Sequence, residues 1–190
     1  MLKQLLADVR HETIDLIRHA GVSVTEEELA GMALVDFGMH DIRREGVQLV
    51  DILLTDELRI TVLVLLPNQT LPEHMHPAYG NCPGKEETVR VVYGECRVYV
   101  PGLDTMQAGF LPSGKEAYYT ARNEAVLRPV QTFTVEPGMP HWFQAGPQGC
   151  VTYGYYNRVD ESQNVFTDPN VTTKCGPGAV QTQPLTAAGT

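Results

Sequence analysis

Pro72-Glu73-His74-Met75-His76, then ten residues, Glu87, six more residues and Gly94: this spacing, with Pro137-Gly138-Met139-Pro140-His141 farther on, decides how the chain reads. On a strand, side chains two apart share a face, so His74 projects with His76, and Lys85 with Glu87. The same parity puts Val89, Val91 and Tyr93 on the inner wall beside Glu87, with Thr88 and Arg90 facing away. An unpaired carboxylate among apolar neighbours is expensive, and a cation compensates it well. The Pro137-Gly138 turn starts a strand that brings a third imidazole, His141, to the same place. Three imidazoles and one carboxylate are a donor set for a divalent transition metal. A lone His-x-His pair is common on surfaces, and a single Glu87 or His141 is ordinarily solvated or packed. Their joint spacing is what points to a site. His11, His19 and His40 fall in the N-terminal region and read as surface or packing residues.

Outward from that stretch, turn residues punctuate many short strands. Pro83-Gly84, Pro101-Gly102, Pro112-Ser113-Gly114, Pro137-Gly138 and Gly146-Pro147 separate strand candidates at His74, Glu87 to Tyr93, Cys96 to Val100, Ala125 to Leu127, Gln131 to Val135, His141 to Gln144 and Cys150 to Tyr156. Upstream, Val47 to Leu54 and Arg59 to Leu66 read as strands, the second so apolar that both its faces are buried. Such a pattern predicts a mainly β protein, a sandwich or a small barrel. Before it, Leu2, Leu5, Leu6, Val9, Thr13, Leu16 and Ile17 recur at helical spacing, with Gly21 as a stop. Thr25-Glu26-Glu27-Glu28 reads as a capping box for a second short helix to about Met32. We expect an N-terminal helical extension over 1–40 packed on a barrel over 41–170. The Thr-, Gly-, Pro- and Ala-rich stretch 171–190 reads as a tail.

The 190 residues, 43% hydrophobic and 19% charged, suit one well-filled domain. A net charge of -9 argues against nucleic acid or an anionic membrane as partners, since both require a basic surface. No apolar run approaches the roughly 20 residues of a membrane span, and the N-terminus lacks a signal-type apolar block, so a cytoplasmic protein is expected. Cys82, Cys96, Cys150 and Cys175 have neither a CxxC nor a zinc-ribbon spacing and read as reduced thiols.

The ligand spacing resembles the cupin signature: His-x-His, a glutamate, a glycine beyond it, then Pro-Gly-x-x-His on a later strand. The gap between His76 and Glu87 is longer than is usual in cupins. This insert, with Gly84-Lys85-Glu86-Glu87-Thr88, resembles the smaller bacterial D-lyxose isomerases. The likeness extends to Leu65-Leu66-Pro67-Asn68-Gln69-Thr70, His141-Trp142-Phe143-Gln144-Ala145-Gly146 and Phe166-Thr167-Asp168-Pro169. The resemblance implies a cupin jelly-roll barrel, often a homodimer, with Mn2+ held by His74, His76, Glu87 and His141. It also implies interconversion of an aldose with its ketose, D-lyxose with D-xylulose and D-mannose with D-fructose. Lys85 matches a lysine that assists proton transfer. The same donors accept Co2+, Fe2+, Ni2+ or Zn2+.

Such a reaction runs through an enediol and needs a base over C1 and C2 and an acid to shuttle the hydroxyl proton. Lys85 is the first candidate shuttle, since it shares the inner face with Glu87 and a neighbouring cation lowers an ammonium pKa; Asp168 is the second. Phe143, in parity with His141, and Tyr155 are expected to wall the sugar. The resemblance places a catalytic glutamate near Tyr153-Gly154-Tyr155, yet no carboxylate occurs between His141 and Asp160. Tyr153, Tyr155 or Glu161 is left to substitute. Two other readings fit the cage: a cupin dioxygenase with Fe(II), and a sugar-binding cupin without turnover.

Overall fold

The computed structural model describes residues 2–172. Of the expected tail over 171–190, Val171 packs against the inner core and the Thr172 N–H bonds the Phe37 carbonyl at 2.8 Å; the rest, and Cys175 with it, lies outside the described residues. In chain order the elements are α1 (Leu2–His19), α2 (Glu26–Ala30), β1 (Ala33–Val35), β2 (Val47–Leu54), β3 (Leu58–Leu65), β4 (Thr70–Met75), β5 (Glu87–Val100), β6 (Asn123–Leu127), β7 (Thr132–Val135), β8 (His141–Asn157) and β9 (Val165–Phe166), with 3-10 turns at Glu116–Tyr118 and Glu161–Gln163.

The expected helical spacing buries Val9, Thr13 and Ile17 of α1, and Arg18 and His19 complement the dipole at its C-terminal end. The capping box forms: the Thr25 hydroxyl accepts from the Glu28 N–H, and the Glu28 side chain accepts from the Thr25 N–H. Among the described residues, no helix is long and apolar enough to cross a membrane.

One antiparallel sheet curls on itself in the order β1-β2-β3-β8-β4-β9, with β5 laid along β8 and flanked by β6 and β7. β3 is buried on both faces, as its apolar run predicts. Leu63 and Leu65 join an inner core with Val35, Val47, Leu71, Val89, Val98 and Phe143. Val62 and Val64 join an outer core with Val9, Ile17, Met32 and Val151, which seats α1 on the sheet. Each such aliphatic side chain contributes about 1.5–3 kcal/mol by leaving water. A third cluster stacks Trp142 on Tyr99 at 3.6 Å between ring centroids, with the indole N–H donating to the Ala121 carbonyl at 2.7 Å.

Where the sequence suggests pairs of short strands, the structure has two long ones. β5 and β8 pair almost throughout, with register shifts between Val91 and Tyr93 and between Gly94 and Cys96. Gly94 and the Gly146-Pro147 step therefore lie within bulged strands rather than in turns that end them. Gly94 has φ +73, and a Cβ there would collide with the Gly149 carbonyl. The bulge reverses parity, so Tyr93 does not join the inner wall; its ring meets His19 of α1 edge-on at 4.9 Å. β1, inside the stretch expected to be helical, adds an edge to β2.

Candidate active site

Three strand ends carry the four expected donors. His74 lies on β4 directly opposite His141, the first residue of β8, while Glu87 opens β5 opposite Tyr156. His76 follows β4 on the same face as His74. One donor atom from each of the four lies within 4.8 Å of the others, and all four residues are buried.

Each imidazole turns its Nδ1 toward an acceptor: the Pro72 carbonyl at 2.8 Å for His74, Asn164 Oδ1 at 2.7 Å for His76, and the Met139 carbonyl at 2.9 Å for His141. Nδ1 then carries the proton and Nε2 presents a bare lone pair. The buried Nε2 atoms of His76 and His141 have no hydrogen-bond partner among the described residues. The Nε2 of His76 does stand 3.3 Å from Glu87 Oε2, but in this tautomer both are acceptors. Lone pairs facing one another in a dry interior fit a metal ion and little else. Burial lowers His74 well below its ordinary range and pushes His141 down to about 4, so both are neutral ligands at pH 7. Burial would raise Glu87, but the Lys85 charge holds it well below the usual carboxylate range.

Two of the donors, His74 and Glu87, line a cavity of about 480 Å³ between β1–β2 and the segment 157–166. Its inner wall includes Val35, Val47, Leu49, Leu63 and Leu71; its other wall carries Lys85, Tyr156, Arg59 and Glu161. The buried Lys85 ammonium bridges two carboxylates, 3.2 Å from Glu87 Oε2 and 3.3 Å from Glu161 Oε1. Burial opposes its charge, yet Glu87 and Glu161 outweigh that and raise its pKa. Glu161, at the rim, feels burial upward, but Lys85 and the Asn164 amide hold its carboxyl below the ordinary value. Arg59 is engaged by Asp51 at 2.7 Å and lies 3.6 Å from Glu161. The Tyr156 hydroxyl bonds Thr61 Oγ1 beneath them.

Lys85 thus stands beside the four donors, from the irregular segment that leads into β5 rather than from a strand. Three other candidates sit elsewhere. Tyr155 faces outward, 37% exposed, and Tyr156 takes the cavity position, because parity counted from His141 is reset at the bulge in β8. Phe143 is fully buried in the inner core, 5.4 Å from the His141 ring, and packs behind that ligand. Asp168 does not line the cavity; it pairs with Lys115 at 3.0 Å, beside the Lys115–Glu45 pair at 2.9 Å. Gly154, near the expected glutamate, lies under the Tyr156 ring, where an added Cβ would come within 2.8 Å of Tyr156 Cε1. A glutamate does not fit there. Glu161 brings a carboxylate to the same cavity from the turn after β8, as one of the three substitutes the sequence offered. Arg59, Tyr156 and Asn164 stand in no motif, and their only sequence signal is their neighbourhood to Glu161 and β3.

No family model matches the chain. Among curated proteins it is 39% identical to the D-lyxose ketol-isomerase of Cohnella laeviribosi, over 86% of this chain and 91% of that one. It is 36% identical to the D-lyxose/D-mannose isomerase of Thermosediminibacter oceani, over 89% and 94%. A D-lyxose ketol-isomerase of a Thermofilum species is 34% identical, over 90% and 96%. Among solved structures, the L-ribose isomerase of Cellulomonas parahominis superposes with a TM-score of 0.72 at 17% identity, covering 87% of this chain and 92% of that one. The Acinetobacter L-ribose isomerase in complex with L-ribose gives 0.69 at 16%, covering 86% and 91%. The fold is the expected mainly β, cupin-type barrel.

Proposed function

Since the chain belongs to the D-lyxose ketol-isomerase family and is an aldose–ketose isomerase, we propose that it interconverts D-lyxose with D-xylulose, and D-mannose with D-fructose, at the cage of His74, His76, Glu87 and His141. Mn2+ is the ion we assign to that cage. When bound, such an ion polarises the sugar carbonyl and steadies negative charge on the adjoining oxygens.

The chain's own groups supply the proton transfers. The Glu161 carboxylate takes the proton from C2 of the open-chain aldose while the Lys85 ammonium donates to O1, giving the enediol. Lys85 then recovers the proton from O2 as Glu161 returns its proton to C1, and the ketose results. Atoms and charge balance, because each group ends as it began. Tyr156 beneath Lys85, 4.9 Å from Nζ to ring centroid, keeps water from that ammonium. Arg59 stays paired with Asp51 and Glu161, which favours a neutral sugar over an anionic substrate.

One observation carries this reading: four buried donors converge within 4.8 Å, with the Nε2 atoms of His76 and His141 unpartnered among the described residues. The test is to load the metal-free protein with Mn2+ and screen pentoses and hexoses for ketose. D-Lyxose is expected to lead. Oxygen uptake by the iron-loaded protein, with no ketose from any aldose, would overturn the reading in favour of a dioxygenase. The family resemblance supports a homodimer, which sedimentation tests. The free thiols of Cys82, Cys96 and Cys150 support residence in a reducing compartment, the cytoplasm.

A further inference from the structure

Asn164 sits where the metal cage and the rim carboxylate meet. Its Oδ1 is 2.7 Å from His76 Nδ1, and its Nδ2 donates to Glu161 Oε2 at 2.7 Å. The two ends of this amide are not interchangeable. An ionised carboxylate only accepts, so the Glu161 side must be the NH2 end, and the carbonyl oxygen must face His76. A carbonyl oxygen accepts in turn, so His76 Nδ1 must be the protonated nitrogen. Nε2 is therefore stripped of its proton and turned toward Glu87 and His141. The charge on Glu161 thus fixes, through one amide, the tautomer of a residue in the cage.

The backbone holds Asn164 in that place. It closes the Glu161–Gln163 turn, its N–H bonding the Glu161 carbonyl at 3.2 Å. The next two residues form β9, which pairs Val165 with Met75 and Phe166 with His74 on β4. Asn164 is thereby strapped to the strand that leads into His76.

We propose that Asn164 is a positioning residue that sets the His76 tautomer for metal binding and aims Glu161 for proton transfer. The metal half stands on the cage alone; the second half rests on the isomerase reading above. Substituting the amide separates the halves. In Asn164→Ala both hydrogen bonds vanish, so the metal-free protein is expected to bind Mn2+ about 10–100-fold more weakly in competition with a chelator, and kcat falls as well. In Asn164→Asp a carboxylate still accepts from His76 Nδ1 but repels Glu161 instead of donating to it. Mn2+ affinity is then expected to stay within about threefold of wild type, while kcat for D-lyxose drops about 10–100-fold at saturating metal. Unchanged Mn2+ affinity in Asn164→Ala, equal loss of affinity in both variants, or a wild-type kcat in Asn164→Asp would each overturn the proposal. If the unsubstituted protein turns over no aldose, the isomerase reading fails. The two affinities then still decide whether Asn164 positions His76.

Discussion

Strand β4 has two faces, and each meets a buried carboxylate in a different condition. Behind it, Glu73 accepts from the Thr120 hydroxyl at 2.8 Å, the Ala121 N–H at 2.8 Å and the Thr167 hydroxyl at 2.6 Å. In front, across from His74 and His76, Glu87 faces the bare Nε2 of His76 and the Lys85 ammonium. Both side chains are nearly inaccessible to water. The difference lies in saturation. Neutral donors complete Glu73, which pins Thr120, Ala121 and Thr167, the residue after β9, to the sheet; Glu87 belongs to a set with lone pairs left over. A buried acid whose oxygens are filled is a joint of the fold, and one whose neighbours are acceptors is waiting for a cation.

Four substitutions or conditions sharpen or break this contrast. Glu87→Ala carries the largest effect: bound metal is lost, and turnover falls by at least about a thousandfold, several kcal/mol of transition-state stabilisation. Metal analysis showing full stoichiometry in the variant would mean the cage is misassigned. Lys85→Ala is expected to keep its metal but lose about a hundredfold in kcat, the lower range for a positioned proton-transfer group; an unchanged rate would demote Lys85 to packing. Glu73→Ala reverses the pattern. It leaves buried donors unanswered and is expected to destabilise the fold by about 3 kcal/mol in denaturant unfolding, with metal affinity unaltered. Metal loss there, at a temperature where the variant is folded, would erase the distinction between the faces.

The smallest effect is on the pH dependence of the metal-free protein. His141 is depressed from its ordinary 6.5 to about 4, and His74 is lowered too. Between those values the unfolded chain binds protons that the fold refuses, so stability rises with pH across the window. It is lost as pH falls from about 6.5 toward 4. Thermal melts in that interval should drop by several degrees, and a flat profile would show that the imidazoles are not held dry.

Much of the front face was legible in the sequence because strand periodicity is local. His74 and His76 need only the two-residue repeat to be placed together, and Pro137-Gly138 announces the strand that begins at His141. The periodicity fails where a bulge adds a residue: Tyr93 faces α1 instead of the interior, and Tyr156 replaces Tyr155 in the cavity. The rim is harder still. Glu161 and Asn164 belong to one 3-10 turn whose placement depends on a two-residue strand, β9, finding β4. No local pattern encodes that docking. Asp168, with an ordinary Thr-Asp-Pro context, finds its partner Lys115 from a distant loop, which the chain order does not reveal.

The long β5–β8 ribbon also sets the order in which the molecule can be made. Glu87 is paired with Tyr156, and Tyr99 with Trp142, so the strand bearing the carboxylate, already flanked by β6 and β7, gains its longest mate only when the chain through β8 has left the ribosome. Nascent chains ending before His141 would have helix α1, the β2–β3 hairpin and the β5 pairs with β6 and β7, but no closed cage. Such distant pairing makes closure slow, and the strand edges stay sticky meanwhile. Once zipped, the ribbon's interior amides, such as those of Val89, Val98 and Thr152, should be the last to exchange with deuterium, long after the helices have frayed.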